Sequence, residues 1–133
     1  MIPPQLAERA RRARVILEVG AGGDFRTARA LAQAAPHARV VVSDVDPRVL
    51  LAPADLHGIL LDVTRPDAHE LPDADLAVAV RLPEELQLSA AKLARRLGAD
   101  LAIRVLKDEW VDVSEAFRKY ETWPDGWRYH PFL

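Results

Sequence analysis

The chain has 133 residues, half of them apolar, so it is long enough for one folded globule with a single core. Its net charge of -2 excludes a strong whole-molecule pull toward nucleic acid or anionic membrane, and with no Cys it carries no disulfide or thiol chemistry. The opening Met1-Ile2-Pro3-Pro4 lacks a signal-peptide core and no apolar run approaches 18 residues, so a cytoplasmic protein with no membrane span is expected.

In chain order, Gln5 to Ala13 reads as a short helix behind Pro3-Pro4, with Ala and Leu on one face. Arg14 to Val19 is a nearly continuous apolar run, the pattern of a strand buried on both faces of a parallel sheet. A glycine turn, Gly20-Ala21-Gly22-Gly23, separates it from a helix over Phe25–Ala35 with Asp24 as the expected N-cap. Arg39 to Ser43 is a second strand, Arg48 to Leu51 a short helical turn, Gly58 to Asp62 a third strand and Leu76 to Val80 a fourth. Glu84 to Leu97 is a long helix closed by Gly98, and Leu101 to Leu106 a fifth strand. Strands alternating with helices predict α/β architecture: one Rossmann-like domain, with a mostly parallel sheet of about six strands and helices on both faces. It divides into an N-terminal helix (1–14), a nucleotide-binding core (15–106) and a C-terminal tail (107–133).

The tail holds seven of the eight aromatic residues, Trp110 to Phe132. Ser114 to Tyr120 is expected to be helical, Pro124-Asp125-Gly126 a turn, and Trp127 to Leu133 a final strand. These rings have three uses open to them. They cap the sheet edge and complete the core, they form an interface with a second copy or a partner protein through 110–133, or they wall a substrate.

Two glycines after the first strand let backbone approach a ligand where open α/β sheets bind one. A dinucleotide fingerprint needs a third glycine where this chain has Phe25, and no Gly-Lys-Ser/Thr of a P-loop follows. The acid two residues before the first glycine points elsewhere. Glu18-Val19-Gly20-Ala21-Gly22 resembles the first motif of Rossmann-fold methyltransferases, which bind S-adenosylmethionine (SAM). That resemblance implies that Gly20 and Gly22 approach the cofactor and that Glu18 orients the turn and reaches the methionine amino group through water. It also implies that Asp44 takes the ribose hydroxyls and that Asp62 sits near the adenine amino group. Asp24 stands where the usual motif has another glycine. Two alternatives remain open: another nucleotide-like ligand, or a glycine turn kept for topology, with the acids as caps and turn formers.

Further segments carry a second resemblance: Asp62-Val63-Thr64-Arg65-Pro66, Ala74-Asp75-Leu76, Arg81-x-Pro83-x-Glu85-Leu86 and Gly98-Ala99-Asp100-Leu101. Over residues 15–106 the chain resembles uncharacterised protein family 0146, small archaeal methyltransferase-like proteins. It departs at Leu82, Glu84 and Val105, where that family tends to have prolines, and around Phe25.

No catalytic motif stands out. The turn after the fourth strand reads Arg81-Leu82-Pro83-Glu84-Glu85, and a guanidinium is a donor only, so an amino-methyltransferase turn is absent. Arg81 and Pro83 remain candidates for holding an anionic substrate; otherwise Arg81 pairs with Glu84, Glu85 or Asp62. His37, His57, His69 and His130 lack metal-ligand spacing. Arg9, Arg11, Arg12 and Arg14, with Arg26 and Arg29, form a basic cluster, but Glu8 interleaves and the chain is net acidic, so a solvated helix face is favoured over nucleic acid. Two classes of function follow: a SAM-binding, methyltransferase-like protein of unknown acceptor, or a non-catalytic Rossmann-type module that oligomerises through its aromatic tail.

Overall fold

The computed structural model describes residues 2–105 and 108–133. In chain order the elements are α1 (Pro4–Arg11), β1 (Val15–Val19), α2 (Arg26–Ala34), β2 (Arg39–Asp44), β3 (His57–Leu60), β4 (Leu76–Val80), α3 (Glu84–Leu97), β5 (Asp100–Arg104), β6 (Glu121–Trp123) and β7 (Trp127–His130), with single 3-10 turns at Pro47–Leu51 and Pro66–Ala68. They form one sheet in the order β3-β2-β1-β4-β5-β7-β6. The first five strands are parallel, and β7 runs antiparallel to both β5 and β6.

The apolar runs explain the centre of this sheet. In β1 and β2, Ile16, Val40 and Val42 face one side and Leu17, Val19 and Val41 the other. The first side is covered by α1 and α2 through Leu6, Ala10, Ala28 and Leu31; the second by α3 through Ala90, Leu93 and Ala94. A strand packed on both faces has no room for polar alternation. Gly98 ends α3 in the left-handed region (φ 72°), as its place after the last apolar residue predicts.

The tail corrects the sequence-based expectation. The sheet has seven strands and is mixed, because Trp127 to His130 returns antiparallel beside β5 and Glu121 to Trp123 adds an edge strand. Ser114 to Tyr120 is not a helix. Ala116 and Phe117 donate to the Val113 carbonyl, which makes one turn only. Burial of Phe117 against the α3 side then commits the chain to extend into β6. Trp123, Trp127 and Tyr129 pack with the α1–α2 layer, Trp123 stacking on Tyr129 at 4.6 Å, so these rings close the core beyond β5. Leu106, expected to end the fifth strand, and Lys107, the expected start of the tail, lie outside the described residues.

Two smaller corrections concern charges. Asp24 stands one residue before the N-cap Phe25; its Oδ1 accepts from the Arg26 N–H rather than from deeper in the helix. Arg9 is not on a solvated face: it is buried, with its Nε donating to Asp100 Oδ2 (2.8 Å) and its Nη2 to the Asp75 carbonyl (3.0 Å). Tyr129 also bonds Asp100, tying α1 to β5 and β7.

Candidate functional site

Strand order reverses between β1 and β4, and the carboxyl ends of open α/β strands leave a crevice at such a point. Here the chain leaves β1 through Gly20 (φ 76°) and Gly22 (φ 60°). A Cβ on Gly20 would sit 3.0 Å from Leu82 Cδ1, so the Leu82 side chain packs tightly over the turn. The Gly20 and Ala21 N–H groups donate to the Ser43 carbonyl (2.9 and 3.0 Å), pinning the turn to the end of β2.

Asp44 closes that end. Its Oδ2 accepts from the Gly22 N–H (2.7 Å) and its Oδ1 from the Asp46 N–H (3.0 Å). Each carboxylate oxygen has a second lone pair, so both remain competent acceptors. Asp62 lies two residues beyond β3, where its Oδ1 accepts from the Thr64 N–H (2.9 Å) and hydroxyl (2.6 Å). Those bonds hold its carboxyl below the usual range. The Asp62 N–H donates to His69 Nε2 (3.1 Å), which gives one histidine a role as a local acceptor.

Two depressions meet at Gly20. The larger, about 440 Å³, is lined by Glu18, Gly20 to Asp24, Thr27, Arg48, Val80 and Arg81. The smaller, about 60 Å³, is an apolar slot of Val19, Val45, Leu61, Val63, Leu82 and Leu86 with Asp44 and Asp62 at its rim. The larger volume falls within the range of small-ligand pockets.

Glu18 is the unusual group. It is only 3% exposed, and its Oε1 is buried without a hydrogen-bond partner. Burial pushes its carboxyl up to about 8; the nearby Asp24 charge adds to this and Arg81 opposes it. Asp24 behaves oppositely. It takes bonds from Arg26 (2.8 Å to Nη2) and pairs with Arg81, which hold it well below the usual carboxylate range. Arg81 has a left-handed backbone (φ 63°), and its guanidinium bridges from the end of β4 to the glycine turn.

Of the residues singled out by sequence, Glu18, Gly20, Gly22 and Arg81 line the larger pocket, and Gly20, Asp44 and Asp62 line the slot. Pro83 lines neither and serves as the N-cap of α3. Arg81 is paired, but with Asp24 rather than with Glu84, Glu85 or Asp62. Sequence reading missed Thr27, Arg48 and Val45. Thr27 follows the glycine turn by one helical step and Val45 follows Asp44 directly, so proximity to the motif was their only signal.

Residues 1–122 match the Uncharacterised protein family (UPF0146), and the chain belongs to that family. No curated protein matches it by sequence. Among solved structures it is similar to human N-acetylserotonin methyltransferase in complex with SAM, with TM-score 0.68, 12% identity, and 96% of this chain aligned to 50% of that one. It is also similar to the SAM-dependent methyltransferase SibL in its apo form, with TM-score 0.55, 20% identity, and 85% of this chain covering 38% of that one. Cofactor-bound Rv0187 from MTB aligns at TM-score 0.58 and 22% identity, over 77% of this chain and 56% of that one. At these identities the likeness is of fold: this chain has an α/β Rossmann-like methyltransferase fold. It spans about half the length of these chains or less.

Proposed function

We propose that the chain binds SAM at the β1–β4 switch point and is a methyltransferase-like protein. The observation that carries the reading is the buried, unpartnered Oε1 of Glu18 in a pocket of about 440 Å³ beside an open glycine turn. An unpaired buried acceptor is costly and is best explained by a donor that arrives with a ligand. The ammonium of a methionine group supplies one. Asp44, held by two backbone N–H groups, keeps lone pairs for a ribose diol, and the slot beyond it offers a purine ring apolar walls with Asp62 at the edge. At about 60 Å³ the slot must widen to admit a purine.

When bound, the cofactor would supply an electrophilic methyl group. The chain's own part is binding and orientation, and transfer in line needs little more than placement. Because Glu18 titrates near 8, a cationic ligand draws off its proton, and affinity rises with pH up to about that value. Support for the reading also comes from neighbours of the same fold, one in complex with SAM and one cofactor-bound.

Amide chemical-shift mapping tests the placement. SAM added to 15N-labelled protein should move the amides of Gly20, Gly22, Val45 and Asp62 together. Shifts confined to the tail, or none at millimolar ligand, would refute it. The rival reading is a module that self-associates through 110–133, and four of that tail's seven rings are committed to the chain's own core. Phe117, Trp123, Trp127 and Tyr129 are buried within the chain, which leaves Tyr120 as the exposed ring of that tail and Trp110 and Phe132 half-buried.

A further inference from the structure

Beyond the Asp24–Arg81 bridge, on the side away from the glycine turn, lies a second cleft of about 250 Å³ at the carboxyl ends of β4 and β5. It is lined by Arg26, Thr27, Arg81, Arg104, Val80 and Trp127, with Asp24 as its only acid among the described residues. Asp24, Thr27, Val80 and Arg81 line both cavities, so the two adjoin at that bridge.

The electrostatics of this cleft differ from those of the chain. Three guanidiniums face one carboxylate, a local excess of positive charge on a molecule of net charge -2. Asp24 is shared by Arg26 and Arg81, so neither is neutralised in full. Arg104 has no carboxylate within ion-pair distance among the described residues. Its Nε donates to the Asp125 carbonyl (3.1 Å) in the β6–β7 turn, an uncharged partner that anchors the side chain and leaves its terminal nitrogens uncommitted by that bond. The turn is built to reach it: Asp125 and Gly126 are both left-handed (φ 65° and 81°), and the Gly126 carbonyl takes the Val105 N–H (3.3 Å). Val80 and the buried Trp127 give the cleft an apolar wall. Thr27 adds a hydroxyl, and the Asp24 carboxylate takes the Arg26 N–H at the start of α2.

We propose that this cleft is an anion site for the phosphate group of a small phosphate monoester, held by Arg26, Arg81 and Arg104. Guanidinium forks bind phosphate in bidentate fashion, and a dianion matches the uncompensated charge. The volume, about 250 Å³, admits a phosphate with a short carbon skeleton.

The test is NMR titration of the full chain with inorganic phosphate and with methyl phosphate, at ionic strength held constant with chloride. A parallel titration with S-adenosylhomocysteine reads the other pocket. Saturable shifts of Arg26, Thr27 and Arg104 amides are expected with both phosphates. Arg104→Gln and Arg26→Gln, the latter at an exposed side chain, should each weaken phosphate binding roughly tenfold and leave S-adenosylhomocysteine binding unchanged. The Arg26 variant guards against a fold defect in the Arg104 variant, whose side chain also holds the hairpin turn. No saturation, equal affinity in both variants, or displacement of S-adenosylhomocysteine by phosphate overturns the proposal. Binding of inorganic phosphate without methyl phosphate overturns the monoester. Phosphate binding as expected without S-adenosylhomocysteine binding upholds the anion site and refutes the cofactor reading instead.

Discussion

Replacing Glu18 by Gln should stabilise the chain progressively as pH rises. The carboxyl stands at about 8 in the fold against 4.5 for an ordinary glutamate, because burial disfavours its charged form. The folded state therefore holds a proton that the unfolded state releases. The associated stability is intact below about pH 4.5 and is lost as pH climbs toward 8. At about 1.4 kcal/mol per tenfold, the loss amounts to roughly 3 kcal/mol by pH 7 and approaches about 5 kcal/mol above pH 9, an upper bound once water and neighbours relax. Gln keeps the shape and cannot ionise, so it escapes the loss. Urea unfolding of both proteins at pH 4.5, 7 and 8.5 reads the difference, in which every other titrating group cancels. The variant should gain about 3 kcal/mol on the parent between the first two pH values. Parallel pH profiles would show that Glu18 is solvated and paired, and would remove the physical reason for placing a ligand at it.

Three further outcomes follow from the same packing. Gly58→Ala should cost more than about 3 kcal/mol, since the new Cβ would lie 2.1 Å from the Val49 carbonyl oxygen, which is backbone and cannot swing aside. A thermal melt within a degree or two of the parent would contradict this. Asp100→Ala should cost about 3–5 kcal/mol, because it strips the carboxylate from the buried Arg9 and from the Tyr129 hydroxyl. Chemical denaturation checks it, and a loss below about 1 kcal/mol would mean that Arg9 finds water. Gly20→Ala should cost about 1–2 kcal/mol from its left-handed backbone, and should weaken SAM binding as well by placing a side chain where backbone approaches the ligand. Normal binding in a folded variant would refute that tight approach.

The parallel half of the fold is legible because its physics is local. A run such as Val40-Val41-Val42 has no polar alternation, so it declares burial on both faces, and a helix such as Glu84–Leu97 carries its own stop in Gly98. The antiparallel edge is not legible in that way. Glu121-Thr122-Trp123 is three residues long with two of them exposed, and it is a strand only because β7 offers a ladder. The same division holds at the site. Glu18, Gly20, Gly22, Asp44 and Asp62 are each adjacent to a strand end, and spacing finds them. The Arg81–Asp24 pair joins residues 57 apart, and Arg104 enters its cleft through a turn that forms 21 residues later. Long-range pairs of that kind depend on topology, which composition and period do not encode.

The measurement closest to the central claim is isothermal titration calorimetry of SAM into the full chain, with Asp44→Ala beside it. Micromolar binding, about -8 kcal/mol, that disappears in the variant is the predicted result. No heat at about millimolar ligand, or equal binding by a folded Asp44→Ala protein, would contradict the claim that this switch point is a SAM site.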